Sequence, residues 1–399
     1  MKINKHCFPN GLRLVNIVYD VGARDEHPEH TGFAHLFEHL MFGGSAHIPD
    51  YDTPLQLAGG ENNAWTNNDI TNYYLTVPKP NVETAFWLES DRMLELAFSE
   101  QSLEVQRGVV MEEFKQRCLN QPYGDVGHLF RPLAFRVHPY RWPTIGKELS
   151  HIEQATLDEV KSFFYRFYAP NNAVLAVTGN ISWDETVKLT EKWFAPIPRR
   201  DVPVRQLPQE PEQTQERRLT VERNVPLDAL FMGYHMCSRE GADYYAFDIL
   251  SDILSNGRSS RLNRRLVQEQ NIFSGIDAYI SGTRDAGLLQ ISGKPAAGVS
   301  LEQAEAAVRK ELEELQRSPV DGQELEKVKN KFESTQIFGN INYLNVATNL
   351  AWFELTGKAE DIDLEVERYR SVTTEQLHTV AQRTFCESNA VVLYYKSDK

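Results

Sequence analysis

Cysteine is scarce in this chain. Cys7, Cys118, Cys237 and Cys386 are the only four in 399 residues, and no two stand in a Cys-x-x-Cys pair. Free thiols in a reducing compartment are expected, not a disulfide framework. Long apolar runs are missing too. No stretch approaches the roughly 18 apolar residues of a membrane-spanning helix. The first residues, Met1-Lys2-Ile3-Asn4-Lys5-His6, have neither the apolar core nor the small-residue cleavage site of a secretion signal. A cytoplasmic protein without membrane association is expected. Basic charge is the minority sign: 42 Lys and Arg against 56 Asp and Glu leave a net charge of -14. Nucleic acid selects a basic patch and is not an expected partner. What is present is an ordinary globular composition, 41% hydrophobic and 25% charged. The length suits two compact domains of about 200 residues.

One stretch stands out, Thr31-Gly32-Phe33-Ala34-His35-Leu36-Phe37-Glu38-His39-Leu40-Met41-Phe42-Gly43-Gly44. It reads as a helix with Thr31 as N-cap and Gly43 at its end. At about 100° per residue, His35 and His39 lie roughly 40° apart, with Glu38 on the same side. Two imidazoles and a carboxylate on an otherwise apolar helix are costly to bury unpaired. A metal ion explains them, and His-x-x-Glu-His is the inverted form of the commoner zinc-protease motif.

A catalytic zinc takes three protein ligands and keeps one position open. His35 and His39 supply two. The third is expected from Leu103 to Phe114. Taken as a helix, that segment puts Glu113 on the arc of Val109 and Val110 and Glu112 on the opposite side. Glu113 is therefore the ligand candidate. Gln106, two turns earlier, is placed to hydrogen-bond behind it. Glu38 is expected as general base toward the attacking water, with one zinc ion per chain. The remaining histidines show no ligand spacing, although His27 and His30 stand just before the helix.

Around these residues, 11–19 reads as an early strand, 62–68 and 71–78 as a paired hairpin, and 81–98, 100–119 and 157–168 as helices. Residues 196–218 are rich in proline and charge and read as a linker. The pattern then begins again. Thr156 to Val174 aligns without a gap on Thr373 to Val391, an offset of 217 (389 − 172). At an offset of 214, Phe33 to Gly43 aligns on Phe247 to Gly257, with Ile249, Asp252 and Ile253 in place of His35, Glu38 and His39. The expected fold is α+β: two homologous α/β-layered domains, 1–196 and 219–399, each a mostly antiparallel sheet packed with helices and joined by a linker over 197–218. Only the first copy carries the metal motif.

These residues resemble the inverzincin peptidases of the pitrilysin type, which include insulin-degrading enzyme and the mitochondrial processing peptidase. The resemblance rests on His35 to Phe42, on Gly59-Gly60-Glu61-Asn62-Asn63-Ala64-Trp65-Thr66, and on the 74 residues from His39 to Glu113 (113 − 39). It implies a half-length subunit forming half of a clamshell, which closes on a second subunit around a chamber for peptides or small unfolded polypeptides. It also implies that Asn63, Ala64, Trp65 and Thr66 form an edge strand that pairs with the substrate backbone, Asn63 and Ala64 holding it by β-augmentation. Two positions depart from the family. Gln106 stands where members often have Glu. In the second half, Val267 and Ser274 occupy the places of an Arg and a Tyr that assist the transition state from across the chamber. The expectation is therefore the zinc-bearing subunit of a heterodimer whose related partner supplies Arg and Tyr, with a homodimer as the alternative. A non-catalytic assembly or binding subunit of the same fold, and a dedicated precursor-processing protease, are the competing functions.

Overall fold

A computed structural model describes residues 4–398 apart from 8, 10–12 and 15–17, and only the backbone at 6, 7, 13 and 14. The expected strand over 11–19 thus lies partly outside the described residues. Its described parts, β2 (Arg13–Leu14) and β3 (Val18–Tyr19), are extended. With β1 (His6–Cys7), β4 (Glu61–Thr66), β5 (Thr71–Thr76) and β6 (Ala173–Leu175) they make a six-stranded sheet in the order β1-β2-β6-β3-β5-β4. Only β2 and β6 run parallel. A second sheet holds β7 (Arg217–Arg223), β8 (Ala229–His235), β9 (Phe273–Ile280), β10 (Leu288–Pro295) and β11 (Ala390–Ser397), in the order β7-β11-β8-β10-β9. Here β7 and β11 are the parallel pair. The architecture is α+β with two antiparallel-rich sheets.

The repeat is visible element by element. Thr156 caps the helix Leu157–Phe167 by accepting from Glu159 N, and Thr373 caps Thr374–Thr384 by accepting from Gln376 N. Each helix then leads through an asparagine, Asn172 or Asn389, into a strand. Both helices start on a threonine N-cap because its hydroxyl satisfies an amide with no partner inside the helix.

The contacts divide the chain into two units that are not contiguous in sequence. The first contains 1–121, 138–209 and 339–363; the second contains 122–137, 210–338 and 364–399. The helix Val126–Ala134 thus joins the second unit and Tyr343–Thr356 the first. These helices are related by the same offset of 217 (343 − 126), so each repeat lends the other one helix. The cut over 197–218 is crossed by both. That segment carries no helix or strand until Arg217, yet its arginines tie it down. Arg200 donates to Tyr168 O and Leu94 O, both at 2.7 Å. Arg205 pairs with Asp20 at 2.9 Å and with Asp25. No helix among the described residues is long and apolar enough to cross a membrane.

The site lies in the first unit. Its core gathers Phe33, Leu36, Phe37 and Leu40 from α1 (Phe33–Leu40) with Phe163, Phe164, Phe167 and Tyr168. Three more helices follow α1: α2 (Asp52–Leu57), α3 (Val82–Leu94) and α4 (Glu100–Phe114). α4 packs against α1 and adds Leu103 and Val110 to the same core. At one point the approach is very close, for a Cβ on Gly43 would fall 2.7 Å from Ser102 Oγ.

Candidate metal centre

α1 begins differently from the sequence expectation. Its N-cap is Gly32, in the left-handed region at φ +88°, where a side chain would also meet Ile145 O at 2.8 Å. Thr31 instead turns its hydroxyl to His151 Nδ1 at 2.8 Å and accepts from Lys147 N. The helix amides are taken by Glu26, whose carboxylate accepts from Gly32 N and Ala34 N, both at 2.9 Å. Burial nevertheless pushes this carboxyl up to about 8, against those two bonds. The helix ends at Leu40, and Gly44, not Gly43, carries the positive φ, +100°.

The packed side of α1 leaves His35 and His39 facing α4. His35 is buried and His39 half-buried, with their rings nearly perpendicular at 87°. From α4, Glu113 points a single oxygen at both. Its Oε2 lies 3.5 Å from His35 Nε2 and 3.4 Å from His39 Nε2. The expected pairing of arcs on α4 needs one correction. Val110 is buried, but Val109 is 47% exposed, because only part of that side of α4 meets the core. Glu112 is exposed.

These distances match what a small divalent cation requires. Bonds of about 2.0–2.1 Å in a tetrahedron set ligand atoms roughly 3.3–3.4 Å apart. A charge-assisted hydrogen bond would instead draw N and O to about 2.7–2.9 Å. The three donor groups offer one atom each, all within 4.8 Å, the set that suits a zinc ion. His35 Nδ1 is buried without a hydrogen-bond partner. Burial pushes this imidazole down to about 4, outweighing the nearby Glu113 carboxylate. At neutral pH His35 is therefore an uncharged lone-pair donor, the form a metal binds. The residues fit the group.

Glu38 lies on the same side of α1, half-buried, and accepts a side-chain hydrogen bond from Thr66. Burial raises its carboxyl above the usual range, and the Thr66 bond opposes this. Thr66 closes β4, which is an edge strand paired only with β5. Alternation along β4 separates the four strand residues. Ala64 packs toward the α1 core, on the side of Thr66. Trp65 packs on the other face, with Val18, Ile70 and Val346. Ala64 N–H donates to Asn63 Oδ1 at 2.8 Å.

Gln106 is half-buried and has no hydrogen bond to His35, His39 or Glu113 among the described residues. The group behind Glu113 is Arg117, whose Nη2 stands 2.6 Å from Glu113 Oε1. Sequence reasoning passed over this residue, although an acid followed by arginine four residues later is a helical pairing signal. It also missed Glu26, which no local pattern marks. Of the outlying histidines, His30 pairs with Glu159 at 3.2 Å and His47 with Asp91 at 2.6 Å, neither with the metal set.

In the second unit, Ile249 and Ile253 are core residues of the helix Tyr244–Ser255. Val267 packs against that core, and Ser274 donates to Lys294 O at 3.1 Å. Arg265 is paired with Glu311 at 2.6 Å and with Glu314.

Comparison with known proteins brings in relatives along the whole chain. Residues 13–125 match the family model described as insulinase (peptidase family M16), and residues 154–332 match the one described as peptidase M16 inactive domain. The zinc protease PqqE of Helicobacter pylori is 26% identical over 391 residues, covering 97% of this chain and 88% of that protein. The uncharacterized zinc protease YmxG of Bacillus subtilis is 24% identical over 406 residues, with 98% of each covered. Among solved structures, a protease from Helicobacter pylori superposes with a TM-score of 0.93 at 25% identity, covering 98% of this chain and 99% of that one.

Proposed function

This chain belongs to peptidase family M16, the insulinase family, and from that premise we propose that it is a zinc-dependent endopeptidase with its metal in the first unit. The observation that carries the reading is the convergence of two imidazole nitrogens on one carboxylate oxygen at 3.4 and 3.5 Å. His35, His39 and Glu113 would hold the ion. When bound, zinc supplies a Lewis acid for a water molecule and for the scissile carbonyl. Glu38 takes the proton of the attacking water and returns it to the leaving amine. Its raised carboxyl suits both halves of that transfer. Thr66 stands beside Glu38 and favours its charged form. The free edge of β4 receives the peptide as an added strand, which reads backbone and not sequence. Ala64 lies at its centre, and Asn63 must yield the Ala64 amide to the substrate.

The active assembly we infer is a heterodimer. Val267 and Ser274 bring neither a guanidinium nor a phenol, and Arg265 is held by two glutamates. A related subunit would supply the missing pair. The test is metal analysis with a peptidase assay, on the chain alone and mixed with such a subunit. One zinc per chain, weak activity alone and strong activity on mixing are expected. Strong cleavage by the isolated chain refutes the heterodimer, and failure to bind zinc refutes the enzyme. A non-catalytic binding subunit is the second reading, favoured by the match of residues 154–332 to a domain described as inactive. Cleavage by the mixed subunits that disappears with Glu38→Gln separates the two.

A further inference from the structure

α4 does not stop at Glu113. Past Phe114 the chain continues as one π-helical stretch, Lys115–Leu119, in which Asn120 N donates to Lys115 O at 2.8 Å. Such stretches are rare and cluster at functional sites. This one begins two residues after the proposed ligand and carries Arg117. The Glu113 carboxylate meets two kinds of neighbour: Oε1 lies 2.6 Å from Arg117 Nη2, and Oε2 lies 3.5 and 3.4 Å from His35 Nε2 and His39 Nε2. The arginine itself is 66% exposed, whereas Glu113 is only 19% exposed. An exposed guanidinium near a metal site is ordinarily unfavourable, because it repels the cation. Its place here is explained by what it does to the carboxylate.

We propose that Arg117 is a positioning residue of the metal centre, which occupies Glu113 Oε1 and so presents Oε2 alone to the ion. The role rests on the zinc reading above. Without Arg117 the carboxylate is free to rotate out of line, or to bring both oxygens to the metal and crowd the position a water needs. Outer partners of metal-ligating groups are typically worth about 10–100-fold in metal affinity. Simple Coulomb repulsion predicts the opposite sign, for removing a cation should tighten zinc binding.

The experiment is zinc affinity by chelator competition on the full chain, for wild type and for Arg117→Ala, Arg117→Gln and Arg117→Lys. Arg117→Ala is expected to lose at least about tenfold. Gln keeps a donor without charge and Lys keeps the charge without the planar fork, so each should recover part of the loss. A cycle with Glu113→Gln separates positioning from general destabilisation: in that background Arg117→Ala should change affinity less than about twofold. Melts of the zinc-free proteins should coincide. Zinc binding by Arg117→Ala at or above wild-type strength overturns the role, as does an equal loss in the Glu113→Gln background. Wild-type protein that binds no zinc overturns both this role and the zinc reading, so the two failures are distinguishable.

Discussion

Replacing His35 by isoleucine should stabilise the zinc-free protein while abolishing its metal binding. Isoleucine is the residue the second copy of this helix carries at Ile249, where it is core. In the first copy, His35 is buried with Nδ1 unpartnered. A buried polar group without a partner costs about 1–3 kcal/mol. Imperfect fit of the new side chain returns up to about 1.5 kcal/mol. A net gain on the order of 1 kcal/mol is expected at pH 7. The gain should grow in acid. The folded protein holds His35 near 4, below its ordinary 6.5, so between those values the unfolded chain binds more protons. The stability this imidazole contributes is full above pH 6.5 and is lost as pH falls through 4. At 1.36 kcal/mol per unit, 2.5 units (6.5 − 4) amount to about 3 kcal/mol. The variant escapes that loss, so its advantage should reach about 4 kcal/mol near pH 4. Urea unfolding followed by tryptophan fluorescence is a clean assay, because all six tryptophans lie in segments of the first unit. Zinc at about 100 times its Kd should then stabilise wild type by about 2.7 kcal/mol and the variant not at all. A variant less stable than wild type at pH 7, or an advantage that shrinks in acid, would refute the reasoning.

Three further outcomes are expected. Glu38→Gln should keep zinc at wild-type affinity and lower kcat of the active assembly by at least about 100-fold, since general-base catalysis contributes about that much; retained turnover would remove Glu38 from the mechanism. Ala64→Pro should weaken peptide binding and raise KM, with zinc affinity unchanged, because the Ala64 N–H is bonded to Asn63 and its loss is felt at the open edge; an unaltered KM would argue against strand addition at β4. Glu26→Gln gives one acceptor to two helix amides and should cost about 1–3 kcal/mol in urea unfolding. The Glu26 contribution is full below its unfolded pKa near 4.5 and is lost as pH rises through about 8. The wild-type advantage should therefore narrow and then reverse between pH 5 and pH 9, and a widening gap would contradict the raised carboxyl.

What the sequence disclosed was carried by local signals. The metal helix, the β4–β5 hairpin and the two threonine-capped helices each follow from periodicity or capping within a few residues. Glu113 stands out because one helical arc is partly apolar. What it hid was tertiary. Thr31 looks like an N-cap, yet its hydroxyl is claimed by His151, 120 residues away. Glu26 reaches the helix amides from a loop, where no spacing rule applies. The exchange of Val126–Ala134 and Tyr343–Thr356 between units leaves no mark in composition. Gln106 shares the Glu113 face, but the carboxylate had already been met by Arg117.

The two copies of the helix show how this fold can carry the proposed metal donors without needing them. In the second unit the helix Tyr244–Ser255 is anchored on its face by Ile249 and Ile253. In the first unit that face is given to imidazoles, and the helix is held elsewhere. Glu26 binds its first amides, Phe37 packs tilted against Phe163 and Tyr168 at 5.0 and 5.2 Å behind it, and Gly43 lets its end close on Ser102. None of these contacts involves a metal donor. The donors are therefore ordered before any ion arrives, unlike those of a small zinc module that folds only around its metal. It follows that loss of zinc should silence this chain without unfolding it, and that substitutions at Glu26 or Gly43 should disturb the metal site through the position of α1.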